Sequence, residues 1–137
     1  LKKLGMKSLI DLRSSSELGR QAPLQKGFNV VHIPLATGDM EGILKGIREE
    51  KIKSDTVYRM VERMNRILID QYTKEYRQIF DILLDKNSYP VVIHCSSGKG
   101  RTGIVSALVL AALGINEDII MEDYRLSNDY FNIPSAS

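Results

Sequence analysis

The sequence predicts an α/β fold: a small, mostly parallel central sheet flanked by helices. Three observations predict it. Short Val- and Ile-rich runs alternate along the chain with stretches of helical apolar spacing, the pattern of strands covered by helices. The run Val91-Val92-Ile93-His94 is apolar throughout and bounded by turn residues, as expected of a buried strand in a parallel sheet. A glycine-containing loop and then the apolar run Ile104 to Leu113 follow it, giving strand, loop and helix in succession.

Taken in order, residues 7–12 read as a short strand. Residues 13–27 hold Ser14-Ser15-Ser16, Gly19, Pro23 and Gly27, the composition of a loop, with one helical turn near Glu17. Phe28 to Leu35 reads as a second strand, broken by Pro34, and Ala36-Thr37-Gly38-Asp39 as a turn. Residues 40–52 are charged, carry Gly42 and Gly46, and suit a weak helix or a mobile loop.

Ser54-Asp55 can cap a helix from about Thr56, with Val57, Met60, Val61, Met64, Ile67 and Leu68 at helical spacing. A second amphipathic helix carries Tyr76, Ile79, Phe80, Leu83 and Leu84 on one face, with a break near Asp70–Thr73 between the two. We read about 40–72 as a helical insert, either a lid or a helical pair packed on the side of the domain. Asn87-Ser88-Tyr89-Pro90 is a turn, Gly114 closes the apolar helix after 104, and Asn116 begins a last helix through about Tyr124.

The bulk properties bound the function. At 137 residues the chain is expected to form a single domain, 1–137, with a real core. It opens Leu1-Lys2-Lys3-Leu4, so we expect an N-terminally trimmed piece and leave its compartment open between cytoplasmic and secreted. No run of 18 apolar residues exists, so no transmembrane segment is expected. A net charge of +2 gives no reason to expect nucleic acid as a partner. The single cysteine, Cys95, excludes an intrachain disulfide and any multi-cysteine metal site; neither a metal nor a cofactor is expected. No sequence pattern fixes the oligomeric state.

The chemistry is concentrated in His94-Cys95-Ser96-Ser97-Gly98-Lys99-Gly100-Arg101-Thr102-Gly103. Gly98 and Gly100 let the backbone curl, including through positive φ. Successive amides at Ser96, Ser97, Gly98, Lys99 and Gly100 can then face one concavity, and the following helix adds its positive end. Arg101 can grip two oxygens of a phosphate with its planar fork. The same field favours a thiolate at Cys95, lowering a thiol pKa from about 8.5 to between about 3.5 and 7.5. A thiolate under a bound phosphate can attack phosphorus in line and later release it to water.

At these residues the chain resembles the protein tyrosine phosphatase superfamily, whose signature is Cys-x5-Arg followed by Thr and preceded by His; His94 to Gly103 match it without a gap. Leu9-Ile10-Asp11-Leu12-Arg13 with Glu17, Val31-His32-Ile33-Pro34-Leu35, and Tyr124-Arg125-Leu126-Ser127-Asn128 resemble further segments, chiefly of the bacterial and fungal tyrosine/serine phosphatase branch. That branch is mainly microbial, which implies a bacterial source.

The resemblance implies a phosphatase-type fold and hydrolysis of phosphate monoesters through a cysteinyl-phosphate, foremost protein phosphotyrosine, with dual specificity open. By carry-over Cys95 is the nucleophile, Arg101 the phosphate binder and Thr102 the donor that helps the thiolate leave. His94 supports the loop from below and is not a base. Ser96 to Gly100 bind phosphate through their amides. Asp39, five residues after Pro34 on a glycine-containing turn, stands where the family places its general acid, with Asp70, Asp81 and Asp129 as alternatives.

Two departures matter. Gly100 stands where the bacterial branch often has Asp. Lys99 matches a lysine also carried by tensin-type lipid phosphatases, which suits a multiply phosphorylated ligand, while Ser96 is not the second lysine those enzymes commonly have. The rival readings are a phosphoinositide or inositol phosphate phosphatase, a phosphate-binding module without catalysis, and a sulfur-transfer domain of rhodanese type, which the Cys-x5-Arg-Thr spacing disfavours. Asp11, Arg13 and Glu17 read as a buried or loop-ordering salt-bridge set, His32 as a sheet residue with a hydrogen-bonded ring, and Met60 and Met64 as packing residues.

Overall fold

The computed structural model describes residues 5–18, 27–37, 46–47, 49, 51–52 and 54–130. Three strands, β1 (Ser8–Asp11), β2 (Asn29–His32) and β3 (Val91–His94), form a parallel sheet in the order β2-β1-β3. The central strand is buried at all four positions, as a strand flanked on both sides and covered on both faces must be. β3 was expected to be buried. It is half-buried throughout, because among the described residues it borders the sheet on one side only.

The register positions the site. Asp11 pairs with His32 on one side and with His94 on the other. All three strands therefore end at the same level, and the segments after them, starting at Leu12, Ile33 and Cys95, emerge together at the carboxyl edge. Open parallel sheets bind ligands at that edge.

The helices are α1 (Ser15–Leu18), α2 (Ser54–Gln71), α3 (Thr73–Leu84), α4 (Gly100–Ala112) and α5 (Glu117–Tyr130), with a 3-10 turn over Lys86–Ser88. The break between α2 and α3 falls at Tyr72, inside the expected interval. The core joins Ile10, Leu12, Ile33 and Leu35 from the sheet region to Leu68, Tyr76, Ile79, Cys95 and Val105. Leu68 carries the last turns of the expected insert into that core, while positions 40–45, 48, 50 and 53 lie outside the described residues. Tyr76 buries its ring and satisfies its hydroxyl by donating to Leu68 O at 2.8 Å; burial pushes that phenol up to about 12. Of the expected apolar face of α3, Tyr76 and Ile79 are buried, Phe80 is half-buried and Leu83 packs against the core, whereas Leu84, the last residue of the helix, lies 78% exposed.

Three local details refine the expected helices. α4 begins at Gly100, ahead of the apolar run at Ile104, so Arg101 and Thr102 belong to its first turn. It ends as expected at Gly114, with φ of 76°, where Gly114 N–H donates to Ala111 O and Ile115 N–H to Leu110 O, both at 3.0 Å. α5 runs on to Tyr130 past the expected end at Tyr124. Within that extension Ser127 Oγ turns back to donate to Tyr124 O at 2.8 Å, so its hydroxyl is satisfied inside the helix.

Candidate active site

Cys95 follows β3 directly and is buried against the core, 6% exposed. Its Sγ accepts from the Gly98 amide at 3.3 Å and from Thr102 Oγ1 at 3.2 Å. The loop can turn this tightly because Gly98 takes φ of 70°, a conformation side chains resist. Gly100 was expected to help in the same way. It opens α4 instead, and a Cβ placed on it would meet nothing within 4 Å.

The first intrahelical bond of α4 runs from Gly103 N–H to Lys99 O at 3.0 Å, so the amides of Gly100, Arg101 and Thr102 precede any intrahelical partner. Two effects compete at the sulfur. Burial raises the thiol; the Thr102 hydroxyl and amide, the Gly98 amide and the Arg101 charge outweigh it, and the Cys95 pKa ends below its ordinary value. The Cys95 thiol is thereby inclined toward the thiolate.

Arg101, 8% exposed, is fixed by the segments that follow β1 and β2. Its Nη1 donates to Leu12 O at 3.2 Å, after β1, and to Leu35 O at 3.3 Å, after β2. Its Nη1 and Nη2 also donate to Glu17 Oε2 at 2.7 Å and Oε1 at 2.6 Å, a fork-to-fork pair. These contacts take up the Nη1–Nη2 end and the outer hydrogen of Nη1. The side edge formed by Nε and the second Nη2 hydrogen is the one suited to a bidentate phosphate. Burial tends to lower the guanidinium; the Glu17 carboxylate more than offsets it and holds the pKa above its ordinary value.

Asp11, Arg13 and Glu17 form the expected buried and loop-ordering salt-bridge set, with Glu17 adding its charge beside Arg13. What the sequence reading lacked is that the ion-pair partner of Glu17 is Arg101. Asp11 and Arg13 form their own buried pair: Arg13 Nε donates to Asp11 Oδ1 at 2.9 Å and Nη2 to Oδ2 at 2.7 Å. Burial works to raise the Asp11 carboxyl, and the bonds from Arg13 outweigh it, leaving the pKa below the usual range. Glu17 faces the signature loop. It accepts from Arg101, from the Ser14 amide at 2.7 Å and from the Ser96 hydroxyl. The Arg101 bond is the main reason its pKa lies far below the usual carboxylate range, against the opposing effect of burial. Only its position four residues after Arg13, on a helical turn beyond a strand end, was available as a signal.

The remaining expected residues are placed as follows. His94 Nδ1 lies 3.1 Å from Cys95 O, a position that braces the loop; its Nε2 is buried 3.6 Å from Asp11 Oδ1. His32 is hydrogen-bonded as expected, through Nε2 to Arg13 O at 2.6 Å. Ser96 and Ser97 are exposed on the loop, and Lys99 caps α4, its Nζ donating to Asn128 Oδ1 on α5 at 2.6 Å. Asp39, the expected general acid, lies outside the described residues. The segment after β2 is held at Ala36 by Tyr72, whose hydroxyl donates to Ala36 O at 2.9 Å and accepts from Ala36 N–H at 3.1 Å. Asp70, Asp81 and Asp129 are exposed on α2, α3 and α5. Among the described residues no group of three or more His, Cys, Asp or Glu side chains is placed to hold a metal ion, and no helix is long and apolar enough to cross a membrane.

A buried arginine and the start of α4 thus stand beside a sulfur that is held toward the thiolate, an arrangement suited to an oxyanion. Comparison with known proteins agrees with that geometry. Residues 1–136 match the family model described as the tyrosine phosphatase family. The chain is 32% identical over 151 aligned positions to the triple specificity protein phosphatase PtpB of Mycobacterium tuberculosis, covering 94% of this chain and 55% of that protein. It is 29% identical over 131 positions to a putative tyrosine-protein phosphatase of Cupriavidus necator, covering 93% of this chain and 46% of that one. The chain thus spans about half the length of these curated relatives. A shorter stretch, 36% of this chain and 25% of the relative, is 37% identical to an inositol diphosphatase of Arabidopsis thaliana.

Proposed function

The chain belongs to the tyrosine phosphatase family, and from that premise we propose that it hydrolyses phosphate monoesters, foremost phosphotyrosine on proteins, through a cysteinyl-phosphate. Cys95 Sγ attacks phosphorus in line, the S–P bond forms, and the O–P bond to the leaving group breaks. The leaving oxygen takes a proton from a carboxylic acid, the role assigned to Asp39. Water then attacks phosphorus, giving a proton back to that carboxylate; the S–P bond breaks, inorganic phosphate leaves, and the Thr102 hydroxyl stabilises the returning thiolate. Arg101 and the loop amides hold the three equatorial oxygens, where charge is greatest in transfer.

The observation that carries this reading is the double donation to Cys95 Sγ, from Gly98 N–H and Thr102 Oγ1, beside a buried arginine already aimed by Glu17. Turnover of para-nitrophenyl phosphate tests it. Wild type should release nitrophenol, and Cys95→Ser should not, while still binding phosphate. Wild type that binds vanadate without turnover would make the chain a binding module instead.

A second reading, phosphoinositide or inositol phosphate hydrolysis, is favoured by one observation: Lys99 adds a positive charge at the loop. Competing phosphatidylinositol phosphates against a phosphotyrosine peptide separates the two substrate classes.

A further inference from the structure

The corner between α2 and α3 reaches Arg101 through a single peptide plane. Tyr72 is the non-helical residue at that corner, and its ring packs against the core. Its hydroxyl donates to Ala36 O at 2.9 Å and accepts from Ala36 N–H at 3.1 Å. One hydroxyl thus satisfies both backbone groups of a residue that lies beyond the paired residues of β2.

The peptide unit between Leu35 and Ala36 has two partners. Its N–H is the one held by Tyr72. Its C=O belongs to Leu35 and accepts from Arg101 Nη1 at 3.3 Å. A trans peptide is planar and rigid, with its C=O and N–H pointing in opposite directions. Turning this plane to release Tyr72 would therefore swing Leu35 O away from the guanidinium. Leu35 is also anchored by its own N–H, which donates to Leu12 O at 3.1 Å, and by a fully buried side chain. Neither anchor fixes the plane that follows, because rotation about ψ of Leu35 can still turn it. The bonds to Tyr72 stop that rotation. The second of them, to Ala36 O, also holds the next plane, so neither plane turns without losing a bond to Tyr72.

We propose that Tyr72 is a positioning residue for Arg101: through the Leu35–Ala36 peptide it fixes an acceptor that, together with Glu17, sets which edge of the guanidinium meets phosphate. The α2–α3 corner is then part of the phosphate-binding apparatus, 29 positions before Arg101 and outside the signature loop. This rests on the reading of Arg101 as the phosphate binder.

The test is Tyr72→Phe, which keeps the ring in the core and removes both bonds to Ala36. The main readout is the affinity for inorganic phosphate by calorimetry, since phosphate binds with no leaving group to protonate. The dissociation constant should rise about tenfold, the worth of one hydrogen bond that orients a charged group. The kcat/KM should fall by a similar factor for para-nitrophenyl phosphate and phenyl phosphate alike. The urea midpoint and near-ultraviolet circular dichroism, measured alongside, confirm that the variant is folded. In an Arg101→Lys background, where no planar fork remains to be aimed, Tyr72→Phe should change the already weaker phosphate affinity less than about twofold. A folded Tyr72→Phe with unchanged phosphate affinity, a loss of kcat/KM confined to phenyl phosphate, or a full-sized effect beside Arg101→Lys overturns the proposal and leaves Arg101 as the phosphate binder. Wild type that binds no phosphate overturns that reading and the proposal together.

Discussion

Glu17 and Arg101, 84 positions apart in sequence, meet in a two-pronged pair, Oε1 with Nη2 at 2.6 Å and Oε2 with Nη1 at 2.7 Å. The carboxylate takes one end of the guanidinium and so decides which edge is presented to a ligand. Ser96 donates to the same carboxylate, which ties the far side of the signature loop to the same anchor.

Glu17→Gln should therefore act through Arg101. A small misplacement of a phosphate-binding group costs about 10²-fold, and kcat/KM for para-nitrophenyl phosphate should fall by about that much, with inhibition by inorganic phosphate weakening in parallel. The pair also carries stability. Because the folded-state pKa of Glu17 is depressed below the ordinary 4.5, its contribution is complete above about that pH and fades as the pH falls through the folded value. The stability gap between wild type and Glu17→Gln in urea should be full at pH 7 and should narrow only in acid.

Thr102→Val should raise the Cys95 pKa by removing the 3.2 Å hydroxyl bond to the sulfur. The pH midpoint for alkylation by iodoacetamide should move upward, and alkylation at pH 7 should slow. An unchanged midpoint would mean that the Gly98 amide and Arg101 suffice to hold the thiolate.

Breaking the Asp11–Arg13 pair should affect stability above all. Both side chains are almost fully buried, 2% and 5% exposed, so Asp11→Ala takes from a buried guanidinium the carboxylate that it grips with two nitrogens. The expected loss is about 3–5 kcal/mol, read as a lower midpoint in urea. Replacing both residues together should cost less than Asp11→Ala alone.

Asp39→Asn tests the proton donor. If Asp39 protonates the leaving oxygen, the substitution should lower kcat strongly for phenyl phosphate and weakly for para-nitrophenyl phosphate, whose leaving group needs less help. An equal effect on both would remove Asp39 from the mechanism.

The signature loop was legible because its chemistry is contiguous. Ten residues from His94 to Gly103 carry the cysteine, the glycines and the arginine, with strand before and helix after. The parallel sheet and the α2/α3 break were legible from apolar spacing. What escaped was long-range pairing. Sequence offers two carboxylates, Asp11 and Glu17, near Arg13, and nothing local says that one of them belongs to Arg101. The link from Lys99 to Asn128 crosses 29 positions and depends on how α5 docks, which is set by the Tyr124 ring against Gly103. The half-buried state of β3 depends on sheet order, which a run of Val and Ile does not encode.

The most direct test of the central claim is mass spectrometry of the protein quenched in acid during turnover of para-nitrophenyl phosphate. The account predicts a phosphate adduct on the peptide containing Cys95, present in wild type, accumulating further in Thr102→Val as the second step slows, and absent in Cys95→Ser. Steady turnover with no adduct on Cys95 in either wild type or Thr102→Val, or an adduct on another residue, would contradict it.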